Sequence, residues 1–231
     1  MMSHRERKSW INWLGVELSV VSTKEKMIAT LGGFVSILLL ILISERSLHL
    51  PHSTALVASM GASAVLLFAV PHGQLSQPWP LGAGHVISAL IGVTCAGWIS
   101  QPEIAAAAAV GLSIGAMHQF KCIHPPGGAT ALTAVLGGSS VHDLGYRFVL
   151  CPVLLNVLVI VGVGVAFNYF FSWRRYPSAL TLRPTPTDIG RNKVPSHDEI
   201  VKALKSLDSF VDISEADLIA LVTRLGKKPS R

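Results

Sequence analysis

Apolar residues come in long runs separated by short polar clusters. Met27–Ile43 is the first run, closed by Glu45, Arg46 and His49, with Pro51 opening a turn. Thr54–Val70 is the second and contains Ser59, Gly61 and Ser63. A loop with Pro71, Gly73, Pro78 and Pro80 leads to Leu81–Ile99, which has His85 near its start. Gln101 and Pro102 make a very short link to Ile104–Phe120, so those two runs are antiparallel neighbours. Ala105 to Ala109, with Gly111 and Gly115 four apart, give that fourth long run a small-residue face suited to close helix packing in lipid. Gly127–Gly137 is shorter: as a helix it rises about 16 Å, half of a ~30 Å hydrocarbon core, and reads as a half-helix or re-entrant segment. Gly138–Tyr146 is polar loop, and Phe148–Phe171 is the last and longest run, kinked near Pro152. The pattern predicts an all-α polytopic membrane helix bundle, with either four full spans plus two shorter inserted segments or six crossings.

The flanks differ in kind. Trp10, Ile11, Leu14, Leu18 and Val21 recur at helical spacing within Ser9–Ser22 and predict an amphipathic helix in the membrane interface, a soluble surface helix being the alternative. After Pro177 the chain turns polar. Pro184 and Pro186 mark a linker, Ser196 and Glu199 form a capping box before Ile200 and Leu204, and Ser214–Leu225 repeats the pattern. Three regions follow: 1–26, a cytoplasmic amphipathic helix; 27–173, the membrane domain; and 174–231, a cytoplasmic tail with two short helices. Trp79, Trp98 and Trp173 fall at predicted span ends, and Trp10 and Trp13 at the interface.

Composition sharpens this picture. The 231 residues are 50% hydrophobic and only 14% charged, against about a quarter charged in an ordinary soluble domain. Arg5, Arg7, Lys8, Lys24 and Lys26 precede the first run, and Arg174, Arg175, Arg183, Arg191 and Lys193 follow the last. The positive-inside rule places both ends in the cytoplasm and requires an even number of crossings, in a bacterial-type plasma (inner) membrane. A net charge of +6 does not signal nucleic acid here, since the cations flank apolar spans and form no basic face interleaved with aromatics. Three cysteines in or beside apolar runs make no disulfide framework. The run after Arg5–Lys8 is broken by Asn12 and Glu17 and lacks a small-residue cleavage site, so no cleaved signal peptide is expected.

One stretch breaks the apolar pattern: Cys122-Ile123-His124-Pro125-Pro126-Gly127-Gly128-Ala129-Thr130-Ala131-Leu132. Irregular backbone at membrane depth survives only when buried in protein or lining a wet cavity. Gly61-Ala62-Ser63-Ala64-Val65 matches Gly128-Ala129-Thr130-Ala131-Leu132 in kind and order, 67 residues apart, and each copy lies between two apolar runs. Either the match is a coincidence of membrane composition, or the bundle has two pseudo-symmetric three-segment halves, the second inverted, as in many secondary transporters. Small residues at a helix start leave N–H groups at the positive end of the helix dipole, an arrangement suited to anions. The candidate binding residues are therefore Gly61, Ala62 and Ser63, with His124, Pro125, Pro126, Gly127, Gly128, Ala129 and Thr130. Lys121 and Arg147 would add positive potential at the mouth, and Lys121 and Asn156 are candidate pathway residues. Asn156 serves either as interhelical tie or as pore lining. His124 either braces the turn or lines the path and shuttles a proton. His85 and Glu103 read as interfacial polar groups. His118, Cys122 and His124 lack an evident fourth ligand, so no metal and no cofactor is expected.

The long motif from His124 to Leu132, with Gly61–Phe68, Gln77-Pro78 and Gly84-His85, resembles the HPP family of integral membrane proteins over roughly residues 26–171. Members in cyanobacteria and plastids are implicated in nitrite transport, so the resemblance implies a small-anion transporter. The segment from His197 to Leu218 is similar to the linker that precedes paired CBS domains in longer members. No CBS module is read in this chain, and its regulation is not carried over.

The expected function is transmembrane transport of a small inorganic anion, nitrite leading, with the anion held at helix N-termini near the bilayer midplane. An anion channel, and a membrane sensor or enzyme using the His-Pro-Pro motif, are the alternatives. No acid/base pair is evident, so catalysis is not expected. The partners are the anion and the lipid bilayer, with a homo-oligomer left open and no nucleic acid.

Overall fold

The computed structural model describes residues 21–48 and 57–180. The predicted interfacial helix, apart from Val21 and Ser22, and both predicted tail helices lie outside these residues. The chain divides into a unit of residues 27–189 and a second of residues 1–26 with 190–231. The described part of the first unit is all helix and turn. Its order is α1 (Thr23–Leu48, whose first turn belongs to the second unit), α2 (Ser59–Ala69), a single turn Gln74–Ser76, α3 (Pro78–Trp98), α4 (Pro102–Gln119), α5 (Pro126–Leu136), α6 (Ser139–His142), a broken turn Val149–Leu154 and α7 (Leu155–Tyr169).

Among the described residues, Thr23–Arg46, Pro78–Trp98 and Val149–Tyr169 are long and apolar enough to cross a membrane. The helix α4 has 18 residues, but Glu103, His118 and Gln119 at its ends dilute its hydropathy. Pro78 and Pro102 each begin their helix, where a missing N–H costs nothing. Trp79 and Trp98 mark the two ends of α3, about 28 Å apart along the axis, which matches the thickness of the hydrocarbon core. Cys151 leaves helical geometry (φ −136°, ψ 115°) ahead of Pro152, placing the predicted kink. Among the described residues of the second apolar run the helix covers Ser59–Ala69, so α2 and α5 are both 11 residues long, about 16 Å each. Neither crosses a ~30 Å core.

A helix that stops inside lipid leaves backbone groups without partners, and each costs several kcal/mol if unsatisfied. The ends of both short helices are dressed accordingly. At the start of α2, the Val57 N–H donates to Asn156 Oδ1 (3.1 Å), while Asn156 Nδ2 donates to Ser44 Oγ of α1 (3.1 Å). The fully buried Asn156 is thus an interhelical tie. At the end of α2, Ser76 Oγ approaches the carbonyls of Leu66 and Val70, and Arg174 Nη2 donates to the Phe68 carbonyl (2.6 Å). Arg174 is buried, and burial lowers its pKa to about 10, so it stays charged at neutral pH. The buried Tyr176 hydroxyl donates to the Ser76 carbonyl (2.8 Å). These two residues lie beyond the predicted end of the membrane domain at 173, yet they are part of its packing. At the end of α5, His142 Nε2 donates to the Val135 carbonyl (2.8 Å).

Two cores result. Leu40, Met60, Leu67, Phe68, Phe148, Val153, Ile160 and Tyr176 make a large apolar one. The other, between α3, α4 and α5, is built of small residues: Cys95, Ala105, Ala106, Ala109, Ala131 and Val135. There α3 and α5 approach closely. A Cβ on Gly92 would lie 2.7 Å from the Ala131 carbonyl, and one on Gly127 would lie 2.9 Å from the Gly84 carbonyl. The predicted small-residue face of α4 is corrected in part. Ala105, Ala109 and Ser113 are its buried face, whereas Gly111 and Gly115 point outward with nothing near a Cβ. The reason is phase: residues 111 and 115 lie about 160° from 113 and 117 around the helix, on the far side.

We expect Gly92→Ala to destabilise the protein by about 1–3 kcal/mol, because the added methyl has no room. Gly61→Ala, which meets open space within α2, is expected to be neutral or to stabilise by up to about 1 kcal/mol. Unfolding in mixed detergent micelles measures both.

Candidate functional site

The two short helices meet at a cluster of polar side chains sealed from solvent. Ser59 is 3% exposed, and Ser63, His85, His124 and Thr130 are each 0% exposed. They come from α2 (Ser59, Ser63), α3 (His85), the turn before α5 (His124) and α5 itself (Thr130). Ser59 Oγ lies 2.7 Å from Thr130 Oγ1, which lies 2.7 Å from His85 Nδ1. His85 Nε2 lies 2.8 Å from Ser63 Oγ, which lies 2.9 Å from His124 Nε2. His124 Nδ1 reaches the Leu75 carbonyl at 2.8 Å. The two imidazoles stand edge to face, with centroids 4.9 Å apart.

The chain of bonds has one consistent direction when both rings are neutral. A carbonyl only accepts, so His124 carries its proton on Nδ1 and its Nε2 is an acceptor. Ser63 must then donate to His124, which leaves Ser63 to accept from His85 Nε2–H. His85 Nδ1 is consequently an acceptor and takes the Thr130 hydroxyl proton, and Thr130 accepts from Ser59. Polarity runs from Ser59 through Thr130, His85 and Ser63 to His124 and Leu75. The longer contacts, Ser63 to the Ser59 carbonyl and Thr130 to the Pro126 carbonyl, both 3.4 Å, are alternatives that this pattern leaves unused.

Ser63 and Thr130 occupy matching places in the repeated Gly-Ala-Ser and Gly-Ala-Thr triplets, and they converge on opposite nitrogens of His85. Contacts between the segments run in opposed order: Ser59 meets Thr130, while Ser63 meets His124. The other residues singled out from sequence are placed less centrally. Gly61, Ala62 and Ala129 are exposed, Gly128 is half-buried, and a Cβ at either Gly61 or Gly128 would meet nothing within 4 Å. The N–H groups of Gly61, Gly127 and Gly128 donate to the carbonyls of Ala58, His124 and Pro125 within their own turns. Pro125 is exposed and Pro126 buried at the first turn of α5. Lys121 is exposed with φ +53° and ends α4: its N–H donates to the His118 carbonyl and that of Cys122 to Met117. This is a Schellman cap, usually built on glycine. Arg147 is exposed, and no group of three metal-ligating residues occurs among the described residues.

His85 corrects the sequence reading most. An apolar run that starts at Leu81 places it at the interface. The helix begins at Pro78, so His85 is its eighth residue, about 9 Å along the axis from Trp79 and about 20 Å from Trp98. The cluster therefore lies inside the span but about a third of the way across, off the midplane. Leu81, His85, Ser88, Ala89 and Gly92 recur at helical spacing and are all buried, a face that points His85 inward. Ser59, Ser88 and Ser113 were likewise not assigned a role. Ser88 and Ser113 hydroxyls are buried with no hydrogen-bond partner among the described residues. Gly84 meets Met117 across α3 and α4, and Cys95 shares a core with Ala106, so the antiparallel register sets Ser88 opposite Ser113. A Cβ on Gly127 would lie 2.9 Å from Ser88 Oγ. A separate cavity of about 400 Å³, lined by Thr94, His142 and Tyr146, includes no cluster residue.

The bond directions make a spectroscopic prediction. Side-chain ¹⁵N spectra of the histidines in bilayers at neutral pH should show His124 as the Nδ1–H tautomer and His85 as the Nε2–H tautomer. The same tautomer on both rings would contradict the assigned chain.

The comparisons agree with this architecture. A family model described as HPP, transmembrane region, matches residues 18–177. A transmembrane protein of Dictyostelium discoideum is 37% identical over 171 residues, covering 71% of this chain and 55% of its own. A second transmembrane protein of that organism is 38% identical over 151 residues, covering 64% of this chain and 53% of its own. The chain thus spans about half the length of the curated relatives it matches. No solved structure matches it. With a family match across most of its length and apolar helices long enough to span a bilayer, the chain belongs to the HPP transmembrane family of integral membrane proteins.

Proposed function

We propose that the protein transports a small inorganic anion across the membrane, with nitrite the leading candidate. The observation that carries this reading is the sealed cluster of five polar side chains at the junction of two helices too short to span. Polar groups within the bilayer are expensive. An interhelical hydrogen bond there returns only about 0.6–2 kcal/mol, so apolar packing would serve stability better and the cluster answers a different need. The carboxylates among the described residues are Glu25, Glu45, Glu103 and Asp143, and none is a hydrogen-bond partner of the cluster. Hydroxyls and imidazoles without carboxylates suit an anion rather than a metal cation.

The binding residues of this reading are Ser63, His124 and Thr130 from the original set, joined by His85. Gly61, Ala62, Pro125, Pro126, Gly127, Gly128 and Ala129 shape the two helix starts. With the N–H groups of Gly61, Gly127 and Gly128 bonded within their turns, the buried Ser88 hydroxyl, without a hydrogen-bond partner among the described residues, is a free donor beside Gly127. The two triplets meeting at one histidine support an inverted repeat whose halves move against each other. In this reading an even number of crossings, as four spans with two half-helices would give, keeps both basic termini on the cytoplasmic face of a plasma (inner) membrane. The closed cluster favours alternating access over an open channel. Lys121 is the candidate pathway residue on the turn between α4 and His124.

Purified protein in liposomes tests the reading. We expect nitrite uptake above that of protein-free vesicles, with nitrate and chloride as the comparison anions. Thr130→Val, which keeps the shape but removes the hydroxyl shared by Ser59 and His85, should lower uptake at least tenfold while folded protein still accumulates. Folded protein that moves none of the three anions would refute the proposal.

A further inference from the structure

We infer that the anion crosses together with one proton, and that the His85–His124 pair takes this proton. The inference rests on the transport reading and adds its coupling. The geometry of the cluster provides for protonation with a single hydroxyl rotation. In the neutral arrangement Thr130 donates to His85 Nδ1. When a proton binds Nδ1, that nitrogen becomes a donor and the Thr130 oxygen its acceptor. The Thr130 hydroxyl proton then turns to the Pro126 carbonyl, already 3.4 Å away. Ser59 continues to donate to the Thr130 oxygen, His85 Nε2–H to Ser63, and Ser63 to His124. Every group remains bonded, and the only change in composition is one added proton.

His124 can take the proton in the same way. Its Nδ1–H stays on the Leu75 carbonyl, and a proton on Nε2 makes the Ser63 oxygen its acceptor while the Ser63 hydroxyl turns to the Ser59 carbonyl at 3.4 Å and His85 Nε2–H still donates to Ser63. With centroids 4.9 Å apart the two rings share one proton rather than hold two, because like charges so close repel. Among the described residues, no acidic side chain is a hydrogen-bond partner of His85. Its polar neighbours are Ser63 from α2, Thr130 from α5 and His124 from the preceding turn. Against the neighbouring Gly84 lie the Cys122 carbonyl and Met117 of α4. Along the chain the nearest other titratable groups are Cys95 and His72 to His85, and Cys122 and Lys121 to His124. The chain thus creates a buried imidazolium whose missing partner is an anion. A small inorganic anion neutralises it, and the pair moves as an uncharged unit; loss of either partner leaves an uncompensated charge in a low-dielectric site. The half-exposed Leu75 turn, one bond from His124, lies at the end of the bond chain nearest solvent.

Proteoliposomes carrying an internal pH dye test this, with nitrate as well as nitrite so that passive nitrous acid is controlled. Uptake should acidify the lumen by one proton per anion and be indifferent to an imposed membrane potential. In the same vesicles, ¹⁵N spectra should show one imidazolium per protein within the His85–His124 pair on adding the anion. When both are replaced, His85→Asn with His124→Asn, the proton-to-anion ratio of the remaining uptake should fall from one toward zero. Anion uptake driven by potential without proton movement, or both imidazoles remaining neutral with anion present, overturns the inference alone. No movement of any anion overturns the transport reading and this inference with it.

Discussion

Everything in this fold follows from ending two helices inside the membrane. Polar groups at such ends have no water to turn to, and each must be matched within the protein. The sequence invests its scarce polar residues there. Asn156 takes the start of α2, Ser76 and Arg174 its end, and His142 the end of α5. Five further buried polar side chains, Ser59, Ser63, His85, His124 and Thr130, meet where the two short helices face each other. Buried Arg174 illustrates the scale of the requirement: a cation is held in the packed interior so that a helix of 11 residues can stop.

Close approach is the second condition. The helices α3 and α5 can bring His85 and Thr130 to 2.7 Å because Gly84, Gly92 and Gly127 remove the side chains that would hold them apart. The all-small core of α3, α4 and α5 and the polar cluster are thus two consequences of one crossing. Packing sets the distance, and the distance makes the hydrogen bonds. Chemistry then enters through polarity, since a carbonyl at one end of the bond chain fixes the proton positions of two imidazoles and three hydroxyls beyond it.

Much of this was legible in the residues. The apolar runs located the helices, the length of Gly127–Gly137 marked a half-helix, Pro152 marked the break, and the Gly-Ala-Ser and Gly-Ala-Thr triplets drew attention to Ser63 and Thr130. The rest escaped for physical reasons. Periodicity does not fix helix starts to better than a turn, and an error of three residues at Pro78 moved His85 from the interior to the interface. Small residues mark a packing face without saying which face, so Gly111 and Gly115 were grouped with Ala105 and Ala109. Glycine content drew attention to the helix-start backbone, whereas the tertiary fold gave the central place to side chains separated by up to 71 residues.

The central claim is that the junction of the two short helices must open for an anion to pass. The most direct measurement probes its accessibility. Ser59, buried at the junction but not among the binding residues, would be replaced by cysteine in a chain whose three native cysteines are removed, and a small thiol reagent added to the protein in liposomes with and without anion. The account predicts that the thiol of Ser59→Cys reacts faster while anion is being taken up. A thiol that stays equally unreactive during uptake would contradict it.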